Sequence, residues 1–154
     1  MSGDIKVMVR LIEHEGCPAP ALPEYATSGS AACDLRAVIA QPITLAPLGR
    51  AVVPTGIAIS LPSAELVAIV AARSGLAIKR GITLSNGIGV IDSDYTGEIS
   101  VGLINLSADE YTIQPNERVA QLLIQPVKQA SFALVEELPE TERGTSGFGS
   151  TGTI

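Results

Sequence analysis

The stretch "RGTSGFGSTGTI" (Arg143 to Ile154) places four of the chain's 15 glycines beside Phe148, in a sequence with only 2 Phe, 3 Tyr and no Trp. Glycine-rich backbone can wrap its N–H groups around phosphate oxygens. Two patterns fit the letters. "GFGSTG" (Gly147 to Gly152) matches G-x-G-x-x-G, and "GTSGFGS" (Gly144 to Ser150) nearly matches the P-loop, with Ser150 where that loop needs Lys. Both require a following helix whose N-terminus receives the phosphates. Only two residues follow Gly152, so both fail on context, and the phosphate-wrapping composition is what remains.

Four other polar clusters interrupt the apolar pattern. "SAACDLRA" (Ser30 to Ala37) sets Asp34 against a strand. "ARSGLAIK" (Ala72 to Lys79) puts Arg73 and Ser74 where a buried strand gives way to a helix N-terminus, a position suited to anions. "SNGIGVIDSDYTGEI" (Ser85 to Ile99) has the glycine spacing of a β-hairpin and carries Asn86, Asp92, Asp94 and Tyr95. "ERVAQLLIQP" (Glu117 to Pro126) places Arg118 and Gln121 at the head of a strand. Each has a purely structural reading. Asp34 could pair with Arg36 or Arg118, and Ser74 could cap the helix. "NGIG" could be only a turn and "DSDYTG" only a polar hairpin end. It is the order of all five clusters together that a structural reading does not supply.

The elements that must position these residues have a dominant period of two. Ile5, Val7, Val9 and Leu11 alternate with polar or flexible residues, as do Ile99, Val101 and Leu103, and Phe132 and Leu134. Such alternation marks strands with one face on a core. "LVAIVAA" (Leu66 to Ala72) and "VAQLLIQPV" (Val119 to Val127) are continuously apolar and predict strands buried on both faces, between sheets or at a subunit contact. Prolines 42, 47, 54, 62, 115 and 126 are expected at strand edges and turns. The best helix candidate is "SGLAIKRG" (Ser74 to Gly81), with Ser74 at its start. The expected class is all-β: a jelly-roll-like β-sandwich or barrel of short strands with one short helix. Residues 1–138 form the β domain and 139–154 a flexible glycine-rich arm.

Composition narrows the function. Hydrophobic residues make up 46% of the 154 but aromatics only 3%, so the core is built from Val, Ile, Leu and Ala. No apolar run approaches the length of a membrane span. The start "MSGDIKVMVRL" lacks the long apolar stretch of a signal peptide, so a cytoplasmic protein is expected. Cys17 and Cys33 have no metal-type spacing, and His14 is the only histidine. Zinc sites and histidine-based triads are therefore excluded. The net charge is −6 and the ten Lys and Arg are dispersed, which argues against a polymeric nucleic acid as partner. A small polyanion remains if a few arginines and a divalent cation converge on it.

With these residues in view, the sequence resembles the trimeric dUTP pyrophosphatases. Five family motifs are matched in order: "GSAACDLRA", "ARSGLA", "GVIDSDYTGEI", "RVAQLL" and "RGTSGFGSTG", spanning about Leu22 to Gly152. One departure is Ala32, where the first motif usually has Gly; it removes no functional group. The resemblance implies cleavage of dUTP to dUMP and pyrophosphate with Mg²⁺, which limits uracil incorporation into DNA and supplies dUMP for thymidylate synthesis. Asp92 would be the general base on the attacking water, and Asp34 would act from the metal side through water. Arg73, Ser74 and Gly75 would hold the phosphates, with Lys79 and Gln121 adding contacts, and Arg118 is expected in a structural salt bridge. Asn86 and the backbone from Gly87 to Ile91, Gly89 included, would read the uracil edge in a tight hairpin. Tyr95 would lie against the deoxyribose.

In the arm, Arg143, Gly149 and Ser150 would close on the β- and γ-phosphates while Phe148 stacks on the base. The resemblance also implies a homotrimer in which three subunits share each site. A deaminase of the same fold would need a glutamate acid/base motif, and none is recognisable. A non-catalytic nucleotide sensor predicts a damaged Asp92, Ser74 or arm, and all three are intact.

Overall fold

A computed structural model describes residues 5–141 and Gly144. In chain order the elements begin with β1 (Met8–Leu11), β2 (Cys33–Arg36), β3 (Ile43–Leu45), β4 (Arg50–Ser60) and β5 (Leu66–Ala72). They continue with α1 (Ser74–Arg80), β6 (Ile82–Leu84), β7 (Gly89–Ile91), β8 (Glu98–Asn105), β9 (Tyr111–Ile113) and β10 (Arg118–Pro126). One antiparallel sheet has the order β1-β4-β8-β6, a second β2-β10-β5-β7, and β3 pairs with β9. This is the expected jelly-roll-like sandwich, with one short helix among the described residues.

The period-two pattern explains the core. On β8, Ile99, Val101 and Leu103 are each 1% exposed, and they join Leu35, Val53, Val70 and Leu122 from both sheets in one cluster. The core is aliphatic throughout, as the scarcity of aromatics requires. Among the described residues, Asn105 is the one fully buried side-chain amide. Its Nδ2 donates to the carbonyls of Leu45 and Asp109 while its Oδ1 accepts from Ser107. It ties the β3–β9 ladder to the end of β8.

Several expectations are corrected. Pro54 lies inside β4, not at an edge, but β1 pairs with β4 only from Ile57 onward. The missing N–H therefore breaks no β1–β4 ladder bond, and on that side the Pro54 carbonyl accepts the Val38 amide at 2.8 Å instead. Beyond it the β4–β8 register slips between Pro54 and Ala58, and Gly56 takes φ 65° in the bulge. The strands "LVAIVAA" and "VAQLLIQPV" are buried on one face only. Ala68, Val70 and Leu122 are interior and Ile124 packs against the same core, while Val67, Ile69 and Leu123 on the other face are half-buried because no second layer among the described residues covers them. Phe132 and Leu134 form no strand: residues 128–141 are exposed, and no edge among the described residues pairs with them.

The turn that leads into β10 is held by side chains. Tyr111 Oη donates to Glu117 Oε1, and the Gln114 amide donates to Glu117 Oε2 at 2.8 Å. Burial, followed by the hydrogen bond and charge of Glu117, pushes the Tyr111 phenol up to about 12. A raised pKa means that the neutral phenol is favoured in the fold. Its contribution is complete below the ordinary phenol pKa of about 10 and is lost as pH rises through about 12. In an alkaline phenolate titration of the folded protein, the last tyrosine step is expected near pH 12 and is abolished by Tyr111→Phe. All three tyrosines ionising together near 10 would refute this assignment.

Candidate active site

The charged cluster is built by strand register. Gln121 on β10 stands opposite Asp34 on β2 and opposite Ala71 on β5. Leu35 and Ala120 in the adjacent row are fully buried, so alternation turns Asp34 and Gln121 to the outer face. Arg118 would point inward on a regular strand. A register shift between Arg118 and Ala120 instead sets it opposite Arg36 with its side chain outward, the re-aiming that a β-bulge provides.

Asp34 is bound by two guanidinium groups. Arg73 Nε donates to Oδ1 at 2.7 Å and Arg118 Nη1 donates to Oδ2 at 3.1 Å. Arg73 Nη1 also donates to the Arg118 carbonyl at 3.3 Å, and Gln121 Nε2 to the Ala72 carbonyl at 2.9 Å. Arg36 goes elsewhere, to the Asn116 carbonyl. Of the two structural partners open to Asp34, the chain uses Arg118, and it adds Arg73. Two cations against one anion leave the cluster with net positive charge.

Arg73 is the N-cap of α1, and Ser74 is the first helical residue. No side chain caps the helix, so Ser74 is not acting as a cap. The first helical amides, Ser74 and Gly75, have no intrahelical acceptor, and a Cβ at Gly75 would meet only open space. Together Asp34, Arg73, Ser74, Gly75, Gln121 and Ala32 line a cavity of about 470 Å³. Lys79 is in the last turn of the helix, exposed, and does not line that cavity.

The second group of residues lies apart from the first. "NGIG" does not close a tight hairpin. β6 and β8 pair with each other, and the segment between them crosses to the other sheet, where β7 pairs with β5. Gly87 takes φ 76°, and a Cβ on Gly89 would press within 3.0 Å of Val70. Asn86 and Asp92 are exposed, and Ile91 is half-buried. After β7 the chain turns sharply, with the Tyr95 amide donating to the Asp92 carbonyl at 3.1 Å. Tyr95 Oη donates to the Glu98 carbonyl at 2.9 Å, and its ring occupies the space that a Gly97 side chain would need. Among the described residues nothing pairs with the Asp92 carboxylate.

Ile91 pairs with Ala68, whereas Ser74 lies beyond Ala72 at the other end of β5. At about 3.3 Å per residue, Asp92 and Ser74 of one chain are roughly 20 Å apart. The structure brings Asp34, Arg73, Ser74, Gly75 and Gln121 together. It does not bring Asp92, Asn86 or Tyr95 to them. Arg143, Phe148, Gly149 and Ser150 lie outside the described residues. The sequence reading missed Glu98 and His14, which bond each other at 2.9 Å across 84 positions; the isolated histidine was the available signal.

Fold and site define the class: a jelly-roll-like β-sandwich with a guanidinium-lined cleft at one end of a sheet strand and an unpaired carboxylate on a turn at the other. The chain belongs to the dUTPase family, whose model matches residues 19–152. It is 50% identical to the deoxyuridine 5'-triphosphate nucleotidohydrolase of Fusobacterium nucleatum over 147 residues, covering 96% of this chain and 98% of the relative. It is 54% identical to the protein so named from Aeromonas salmonicida, covering 85% and 86%. Among solved structures, the Staphylococcus bacteriophage 80alpha dUTPase with dUpNHpp superposes with a TM-score of 0.82 at 26% identity, covering 96% of this chain and 98% of that one.

The Asp34 cluster is partly exposed, so its worth is modest. Asp34→Asn leaves two guanidinium groups side by side without their anion, and is expected to cost about 1–2 kcal/mol in urea unfolding. An unchanged midpoint would mean that the pairs contribute nothing.

Proposed function

We propose that the protein hydrolyses dUTP to dUMP and pyrophosphate at sites shared between copies of the chain. The observation that carries this is the separation of roughly 20 Å between Asp92 and Ser74 in one chain, against a general base's need to be within hydrogen-bond reach of its water. Asp92 of one copy takes the proton of a water whose oxygen attacks the α-phosphorus. The bond from that phosphorus to the bridging oxygen breaks, and pyrophosphate leaves. Arg73, the amides of Ser74 and Gly75, and Gln121 of a second copy hold the triphosphate. Asn86 and the backbone around Gly89 and Ile91 read the uracil, and Tyr95 lies against the deoxyribose.

A homotrimer is proposed on two further grounds. The outer faces of β5 and β10 are only half covered, and Phe132 and Leu134 are exposed at 97% and 102% with nothing among the described residues to pack on. Exposed apolar surface of this kind marks an interface. Residues 139–154 are proposed as the arm that closes on a neighbour's site, with Arg143, Gly149 and Ser150 on the phosphates and Phe148 on the base; the family match, which extends to residue 152, supports it. Lys79 is retained as a proposed additional phosphate contact, although it is exposed in the last turn of α1 and does not line the cavity. Two free cysteines suit a reducing, cytoplasmic compartment, and no helix of the described residues is long and apolar enough to cross a membrane.

The chain fits Mg²⁺ poorly as a resident ion. Among the described residues no three acidic, His or Cys side chains converge, and both oxygens of Asp34 already accept from guanidinium groups. Mg²⁺ keeps several waters and binds readily through phosphates. A Mg²⁺ ion carried by the substrate would be held by the triphosphate oxygens, with Asp34 reaching it through water, and would offset the phosphate charge there.

Pyrophosphate release from a panel of deoxynucleoside triphosphates and UTP, with Mg²⁺ present, tests the reading. Only dUTP should be consumed, with Asp92→Asn slower by about 10²–10⁴ and a chain ending at Leu138 strongly impaired. Substantial turnover of dCTP or UTP would overturn the substrate, and near wild-type Asp92→Asn the base.

A further inference from the structure

We infer that His14 is a positioning residue for the catalytic turn, acting through the Glu98 carboxylate on Tyr95 and Asp92. His14 Nε2 donates to both oxygens of Glu98, at 2.9 and 3.0 Å. The same carboxylate accepts the Gly56 amide at 2.8 Å. Gly56 sits in the bulge where β4 and β8 lose register, and the loop that carries His14 is laid against it. The Ile12 amide donates to the Gly56 carbonyl at 2.8 Å, and Pro20 fills the space where a Gly56 Cβ would be, at 2.6 Å. The Glu98 side chain thus plugs a gap in the ladder and clamps it to the loop after β1.

Glu98 is also the residue whose carbonyl receives the Tyr95 hydroxyl, at 2.9 Å. Tyr95 in turn binds the Asp92 carbonyl through its own amide at 3.1 Å. A continuous path of direct bonds runs from His14 through Glu98 and Tyr95 to the backbone of Asp92. Between Ile91 and Glu98 the turn belongs to no strand, so this path fixes its C-terminal end. Without the histidine, Glu98 keeps only the Gly56 amide and the loop is released from β8. The Glu98 carbonyl that holds the Tyr95 hydroxyl stays in the ladder opposite Ala58 but is less firmly placed at this end of the strand, and the Tyr95 ring and the Asp92 turn bound to it shift with it. Small displacements of a positioned base are costly to turnover.

The inference rests on the proposed roles of Asp92 and Tyr95, so its test has a readout independent of turnover. The full chain is labelled with fluorotyrosine and the Tyr95 resonance assigned with Tyr95→Phe. In His14→Ala the Tyr95 resonance should shift or broaden while that of Tyr111 stays put. The kcat/KM for dUTP should fall about tenfold and the relative use of UTP should rise. His14→Gln, whose amide still donates to a carboxylate, should restore most of both. An unmoved Tyr95 resonance in His14→Ala, or equal kinetic loss in His14→Gln and His14→Ala, overturns the assignment. If His14→Ala does not fold, Glu98→Gln weakens the same link while keeping an oxygen for the Gly56 amide, and a wild-type Tyr95 resonance there overturns it equally. A Tyr95 resonance that follows His14 in a protein inactive on dUTP would retain the anchor and discard the proposed function.

Discussion

β5 is a spacer on which every functional element depends. Its antiparallel register with β7 places the Asp92 turn beside one end of the strand, and its continuation into α1 places Arg73 and Ser74 at the other. Hydrogen-bonded strands do not compress, so one chain cannot close that interval. The same strand leaves Val67 and Ile69 half-covered on the outer face. On the proposed reading, the open surface and the divided site are both completed by a second copy set against the first. Catalysis and assembly are then the same structural problem.

The proposed phosphate end illustrates why net charge is a poor guide to ligand. The chain carries −6 overall, yet the bulge at Val119 brings Arg118 onto the face where Arg73 already meets Asp34. Charges beyond a Debye length of roughly 8–10 Å are screened, so the local excess decides. Asp34 serves this cluster by holding two guanidinium groups close together that would otherwise repel. Its carboxylate orients cations more than it binds them.

Much of this was legible in the sequence, because period-two alternation maps onto which face is buried. The strands at Leu66–Ala72 and near Val119 and the helix after Arg73 follow from local pattern, whereas the choice of Arg118 over Arg36 as the partner of Asp34 does not. What was not legible depends on register between distant segments. The alternation at Phe132 and Leu134 is that of a strand, but a strand needs an edge, and the chain supplies none to them. "NGIG" has the letters of a hairpin turn, yet β6 pairs with β8 around it and β7 is taken up by β5. Neither the Gly56 bulge nor the bond from His14 to Glu98 is encoded in any short window.

The central claim is that each site draws Asp92 and the phosphate-binding residues from different copies. The direct test is to unfold and refold together two inactive parents, Asp92→Asn and Arg73→Ala/Gln121→Ala, and measure dUTP hydrolysis by the mixture. Sites assembled across copies predict recovery of about a quarter of wild-type activity, the statistical share that takes an intact Asp92 from one parent and intact phosphate contacts from the other. Activity no higher than the mean of the separately refolded parents would show that each site is built within one chain, and would contradict the account.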